Sequence, residues 1–100
     1  MILLLTSKQR AFLRSMANSI EPILHVGKGD ISPSMLKQAD DALTAREIIK
    51  GKVLENSPLT SRQAAEEIAS NVNAEVVQVI GRTFVLYREN KKEPKITLPK

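Results

Sequence analysis

The chain contains no cysteine and no tryptophan, and its single histidine is His25. The lack of cysteine excludes disulfide bonds, thiolate metal sites and cysteine nucleophiles, and it is compatible with a reducing compartment. One histidine without a neighbouring group of carboxylates does not supply the ligands of a histidine-based metal site. We therefore expect neither a metal ion nor any other cofactor.

Long apolar runs are missing as well. The first run, Ile2–Leu5, is shorter than the apolar core of a secretory signal and far shorter than a membrane span. The glycine patterns of P-loop and Rossmann nucleotide sites are absent. We expect a cytoplasmic protein that has no membrane association and no small-molecule substrate.

The composition is that of an ordinary globular domain, with 42% hydrophobic and 26% charged residues in a chain of 100. This length predicts one domain over residues 1–100, in which residues 91–100 form a basic tail or a peripheral strand. The net charge of +4 and the isoelectric point near 9.6 favour a polyanionic partner.

Three helices are predicted from N-cap residues that precede apolar residues at helical spacing. The caps are Thr6 with Gln9 three residues later, Ser32 before Pro33, and Thr60 with Gln63. The apolar stripe of the first helix includes Phe12 and Leu13, so we expect both side chains in the core.

Strands are predicted at Ile23–Val26 and Ile48–Leu54, and the latter has Lys50 and Lys52 on one face. The segment from Val76 to Tyr87 is predicted to be a hairpin with a two-residue turn at Gly81-Arg82, because glycine first favours a type II′ turn. The resulting pairs are Ile80 with Thr83, Val79 with Phe84, and Val77 with Leu86. In this register Val77, Val79, Phe84 and Leu86 share an apolar face, and Gln78 and Thr83 are more exposed.

The element order α-β-α-β-α-β-β predicts a two-layer α/β fold with a mixed sheet and helices on one side only. Crossovers through helices predict that the first three strands are parallel and the last is antiparallel. The carboxyl ends of the parallel strands then share one edge of the sheet.

The most informative local pattern is the loop Gly27-Lys28-Gly29-Asp30 between a strand and a helix start. Glycines allow close approach of a bulky anion, and the helix N-terminus and Lys28 add positive charge. This pattern favours a phosphate contact, although a plain turn also fits it. The shared edge would bring Arg82 near the loop, and an antiparallel first helix would bring Lys8 and Arg10 there, with Arg14 one turn further.

Several segments in the right order resemble the CRM domain family (chloroplast RNA splicing and ribosome maturation), most closely its stand-alone bacterial YhbY-like members. They are Thr6–Arg14 for the opening helix, Val26–Ile31 for the GxxG loop, Glu47–Val53 for a strand, Val77–Arg88 for the hairpin and Ile96–Pro99 for the ending. The resemblance implies a four-stranded mixed sheet with three helices, similar to the C-terminal domain of translation initiation factor three.

The resemblance also implies RNA binding and association with precursors of the large ribosomal subunit. We expect the protein to be a monomer. Gly27 matches the first glycine of GxxG, and Lys28 and Gly29 are its variable positions. Asp30 replaces the second glycine, and its carboxylate would repel phosphate. On the open sheet face, Lys50 and Lys52 are candidates for a second RNA contact, although lysines that only keep this face soluble also fit the pattern.

Other interpretations remain open at this point. The open sheet face could bind a ribosomal protein or assembly factor, which would make the chain a protein-interaction module. An enzyme, such as a small nuclease with His25 as base, is not expected because no acid–base partner follows by spacing. Tyr87 is a candidate for base stacking or a half-buried sheet residue. Since aromatics make up only 3% of the chain, we expect recognition of RNA shape and phosphates.

Overall fold

The computed structural model describes residues 5–29 and 31–99, and this part of the chain has the predicted element order. The helices are α1 (Ser7–Ala17), α2 (Pro33–Arg46) and α3 (Ser61–Val72). The strands are β1 (Leu24–Val26), β2 (Ile48–Val53), β3 (Glu75–Ile80) and β4 (Thr83–Tyr87). No helix among the described residues is long and apolar enough to cross a membrane.

The predicted helix starts are confirmed. Thr6 and Thr60 form complete capping boxes, and the Ser32 hydroxyl accepts a hydrogen bond from the backbone N–H of Met35. Each cap satisfies a backbone donor that has no partner within the helix. Helix α3 ends at Val72, and the left-handed conformation of the following residue, Asn73 (φ 57°), closes the last turn.

The sheet has the strand order β1-β2-β4-β3. Strands β1 and β2 are parallel, and β4 is antiparallel to both β2 and β3. The predicted mixed sheet is therefore confirmed, and the carboxyl ends of β1, β2 and β3 lie at one edge, which we call the carboxyl edge.

One face of the sheet packs against α2 and α3 around the main core. Its fully buried side chains include Leu24, Ile49, Ile68, Phe84 and Leu86. Ile49 and Phe84 come from neighbouring strands, as the predicted faces of β2 and the hairpin require.

The prediction that the helices lie on one side only is wrong. Helix α1 packs on the opposite face, where Leu13 and Ala17 contact a second cluster that includes Ile48, Val85 and Tyr87. The polar residues that alternate with these side chains made this face resemble a solvated one. The large apolar residues of this face must nevertheless be shielded from water, so α1 packs on them and forms a third layer.

The hairpin register is right at the turn and wrong beyond a β-bulge. Ile80 pairs with Thr83 and Val79 with Phe84, but Leu86 pairs with Val76. The bulge between Val76 and Gln78 places Val77 on the α1 face, where it is 5% exposed. A bulge inserts one extra residue and so reverses the facing of the strand beyond it.

The C-terminal residues 91–99 form no strand and run across the α1 side, where Ile96 and Leu98 contact the second cluster. The buried carboxylate of Glu47 holds this segment by accepting hydrogen bonds from the backbone N–H groups of Asn90, Lys95 and Ile96 at 2.6–2.7 Å.

Candidate functional site

The glycine loop and the hairpin turn flank the end of β2 at the carboxyl edge. The backbone N–H of Leu54 donates to the carbonyl of Val26, which precedes the loop, at 2.8 Å. The backbone N–H of Val53 donates to the carbonyl of Arg82 at 2.7 Å. The structure thus brings the loop and the turn to one edge, as the topology predicted.

Neither described glycine of the loop is required by backbone conformation or by packing. Gly27 and Gly29 do not have positive φ. A Cβ atom at Gly27 would make only ordinary contacts, 3.7 Å from Leu54 and 3.8 Å from Asn56, and one at Gly29 would meet nothing within 4 Å. Gly27 is half-buried and Gly29 is exposed, so the loop backbone is open to an approaching ligand at Gly29. Asp30 lies outside the described residues.

Positive charge lines this edge. Lys28 is exposed, and Arg82 forms an exposed ion pair with Glu55 at 3.6 Å. A pair of this kind contributes little because water solvates both groups, so Arg82 can exchange Glu55 for another anion. The same edge contains a cavity of about 310 Å³ between the turn and the start of α3, and its lining includes Arg82 and Ser61.

The two lysines of β2 have different environments. Lys52 is exposed near the carboxyl edge, where it lies beside His25 of β1. Lys50 is half-buried, and its Nζ donates to the carbonyl of Ala17 in the last turn of α1 at 3.3 Å. Lys50 therefore anchors α1, while Lys52 is available to a ligand.

The predicted convergence of Arg10 on the carboxyl edge is wrong. Its guanidinium donates to the Val76 carbonyl at 2.8 Å and pairs with Glu75 at 3.3 Å, at the start of β3. Because β3 is parallel to β1, this position is at the opposite edge from the glycine loop. The helix crosses the sheet from there towards β2, which the sequence could not indicate.

The other cations of α1 point outward. Lys8 and Arg14 are both exposed, and neither forms an ion pair among the described residues. Lys8 belongs to the same first turns of the helix as Arg10, so it does not reach the glycine loop either. Arg14 lies one turn after Arg10 on the same side of the helix.

Phe84 lies in the core as predicted, whereas Phe12 and Tyr87 differ from expectation in how far they are exposed. Phe12, which was expected in the core, is 38% exposed on α1, whereas Tyr87 is only 2% exposed. Burial raises the pKa of Tyr87 to about 12, and the nearby carboxylates of Glu47 and Glu89 add to this effect. Tyr87 is therefore a core residue and not a surface for base stacking.

The charges are distributed unequally over the two sides of the sheet. Helix α1 contains Lys8, Arg10 and Arg14 and no acidic residue. The acidic side chains of the helices (Asp40, Asp41, Glu66 and Glu67) are on α2 and α3, where Lys37, Arg46 and Arg62 nearly balance them. The α1 side and the carboxyl edge thus form the basic part of the molecule, an asymmetry that the sequence shows only after the helices are assigned to layers.

Comparison with known proteins gives consistent matches over nearly the whole chain. A family model of the CRS1 / YhbY (CRM) domain matches residues 5–88. The chain is 45% identical over 96 residues to the "Probable RNA-binding protein YqeI" of Bacillus subtilis, covering 96% of this chain and 100% of that protein. It is 33% identical over 96 residues to an "RNA-binding protein" of Haemophilus influenzae, covering 96% of each.

A solved structure shares the fold. The solution structure of a hypothetical protein from Staphylococcus aureus superposes with a TM-score of 0.70 at 44% sequence identity. The match covers 96% of this chain and 100% of that protein.

Proposed function

Since this chain belongs to the CRS1 / YhbY (CRM) domain family, we propose that it binds RNA through the carboxyl edge and the adjoining basic side. The RNA is structured ribosomal RNA in precursors of the large subunit, and the protein acts there as a cytoplasmic monomer. It binds and does not catalyse. The names of the relatives from B. subtilis and H. influenzae support RNA as the partner.

The observation that carries this proposal is the open glycine loop at the carboxyl edge. Its glycines are free of conformational and packing constraints, so a role in close backbone approach explains them better than a plain turn does. Lys28 adds a full charge, and the N-terminus of α2 adds the partial charge of its unpaired N–H groups. These groups together suit a phosphate oxygen.

The charge asymmetry supports an orientation of the RNA. With the carboxyl edge and the α1 side facing the RNA, the exposed cations Arg14, Lys28, Lys52 and Arg82 can contact phosphates. The outer surfaces of α2 and α3, where cations and carboxylates nearly balance, then face away. Because phosphate contacts position a protein without reading sequence, this surface favours recognition by RNA shape.

The proposal is tested by the salt dependence of binding to a structured fragment of large-subunit ribosomal RNA. With about four phosphates neutralised, affinity should fall at least roughly tenfold for a two- to threefold rise in salt concentration. Lys28→Glu should weaken binding and lower the salt slope by about one, since it removes one phosphate contact. The matched control is Lys37→Glu, an exposed lysine of α2 that pairs with Asp41.

Association with ribosomal precursors is tested separately, by sedimentation of cell extracts. In cell extracts the protein should sediment with incomplete large subunits and be absent from translating ribosomes. A salt slope near zero, or co-sedimentation that survives nuclease treatment, would instead support a protein-interaction module. Equal effects of Lys28→Glu and Lys37→Glu would show that the loop is not the contact.

A further inference from the structure

One row of side chains crosses the sheet next to the carboxyl edge. His25 pairs with Lys52, Lys52 with Thr83, and Thr83 with Ile80, so the four residues lie side by side on all four strands. At a strand spacing of about 4.8 Å, this open row spans roughly 14 Å. All four face the α1 side of the sheet.

The open row is not covered by α1. The next row inward contains Val85, which is 2% exposed, and Lys50, which contacts the end of α1. In the open row Ile80 is 60% exposed, His25 and Lys52 are exposed, and Thr83 is half-buried. Helix α1 thus covers the inner rows and leaves this one available to a ligand.

The chemistry of the open row differs from that of the glycine loop beside it. Lys52 supplies charge, and none of the four residues is acidic, which favours an anionic partner. His25 adds a planar ring and Ile80 an exposed apolar side chain, and neither group contributes to a phosphate site. A base-paired stem buries the faces of its bases within the stack, so such groups have a use only where a base is unpaired.

We propose that the open row binds an unpaired nucleotide of the RNA, adjacent to the phosphates held by the glycine loop. The base stacks on the His25 ring, while Lys52, which pairs with His25 on the neighbouring strand, binds the phosphate of that nucleotide. The continuity of the surface supports this placement, because His25 is two residues before Gly27 and Arg82 directly precedes Thr83. This inference rests on the proposed function and narrows its substrate to RNA with an unpaired nucleotide beside a helical stem.

The test compares two RNAs by fluorescence anisotropy: a hairpin whose stem carries a short unpaired bulge, and the same stem without the bulge. The wild-type protein should bind the bulged RNA more tightly. Stacking on one base is worth about tenfold or more in affinity, so His25→Leu should lose at least about tenfold on the bulged RNA and little on the plain stem. His25→Phe, which keeps an aromatic ring, should retain the preference.

Folding does not complicate this comparison, because the His25 side chain is exposed and forms no hydrogen bond among the described residues. Thermal melting should confirm an unchanged fold for both variants. Ile80→Ser, at the other end of the open row and roughly 14 Å from His25, is a position control and should leave the preference for the bulged RNA unchanged. A fluorescent adenine analogue placed in the bulge should change its emission on binding wild type and His25→Phe, and not on binding His25→Leu.

The outcomes separate this inference from the proposed function. Equal binding of both RNAs by the wild type, or equal losses on both RNAs in His25→Leu, would overturn the role of the open row while leaving RNA binding intact. Failure of the wild type to bind either RNA would refute the proposed function itself.

Discussion

Arg10 should stabilise the fold rather than bind RNA, although the sequence places it among the basic residues of the first helix. We consider Arg10→Met, which removes the charge and keeps an unbranched side chain. In the wild type the guanidinium binds Glu75 and the carbonyls of Val76 and Val77 at the bulge. Arg14→Met is the matched control, since Arg14 is an exposed cation of the same helix.

The expected loss of stability follows from the burial of Glu75, the ion-pair partner of Arg10. The Glu75 side chain is 11% exposed, and its Oε2 atom has no hydrogen-bond partner among the described residues. Removal of one member of a buried ion pair costs about 3–5 kcal/mol. The Arg10 side chain is 33% exposed, so water can partly replace it, and we expect a loss of about 2–3 kcal/mol. In a domain of this size that corresponds to a Tm lower by roughly 10–20 °C.

The assay combines thermal unfolding with RNA binding below the transition. Arg10→Met should lower Tm and leave the affinity of the folded protein within about twofold, which corresponds to less than ~0.5 kcal/mol. Arg14→Met should do the reverse, with nearly unchanged Tm and a lower salt slope. Adding Glu75→Gln to Arg10→Met should recover part of the stability, because the unpaired charge is gone. An unchanged Tm together with a loss of RNA affinity in Arg10→Met would refute this reasoning.

Three other substitutions test the packing of the core, the stability of the fold at alkaline pH and the role of the glycine loop. Gly51→Ala should destabilise by about 3 kcal/mol or more, since its Cβ would lie 2.3 Å from the Phe84 ring, and an unchanged Tm would contradict the β2–β4 packing. The folded-state pKa of Tyr87 is above its unfolded value of about 10, so stability should be complete below pH 10 and fall between pH 10 and 12. Tyr87→Phe should remove about 2–3 kcal/mol of the loss of unfolding free energy that alkaline denaturation measures between pH 10 and 12. An alkaline denaturation curve with the same pH dependence as the wild type would contradict the burial of the Tyr87 hydroxyl. Asp30→Gly should tighten RNA binding in titrations by removing a carboxylate near phosphate, whereas weaker binding would indicate a constructive role for Asp30.

Local features of this protein could be predicted from the sequence because neighbouring residues decide them. The caps at Thr6, Ser32 and Thr60 and the turn at Gly81-Arg82 depend on hydrogen bonds and φ values within a few residues. The direction of the strands followed from the crossovers, and it correctly brought the glycine loop and the turn to one edge. The family also followed from the sequence, since its motifs are short and ordered along the chain.

Only the tertiary structure determined which residues are exposed at the surface and which are buried in the core. The bulge at Val77 depends on contacts between β3 and α1. No local sequence pattern indicates that a strand contains an extra, bulged residue. Arg10 and Lys50 are chemically suited to RNA, but the path of α1 across the sheet gives both of them partners within the protein. The same path leaves the row from His25 to Ile80 uncovered. Burial and pairing arise between residues that are distant in sequence, so the packing of α1 determined which cations and rings remain available to a ligand.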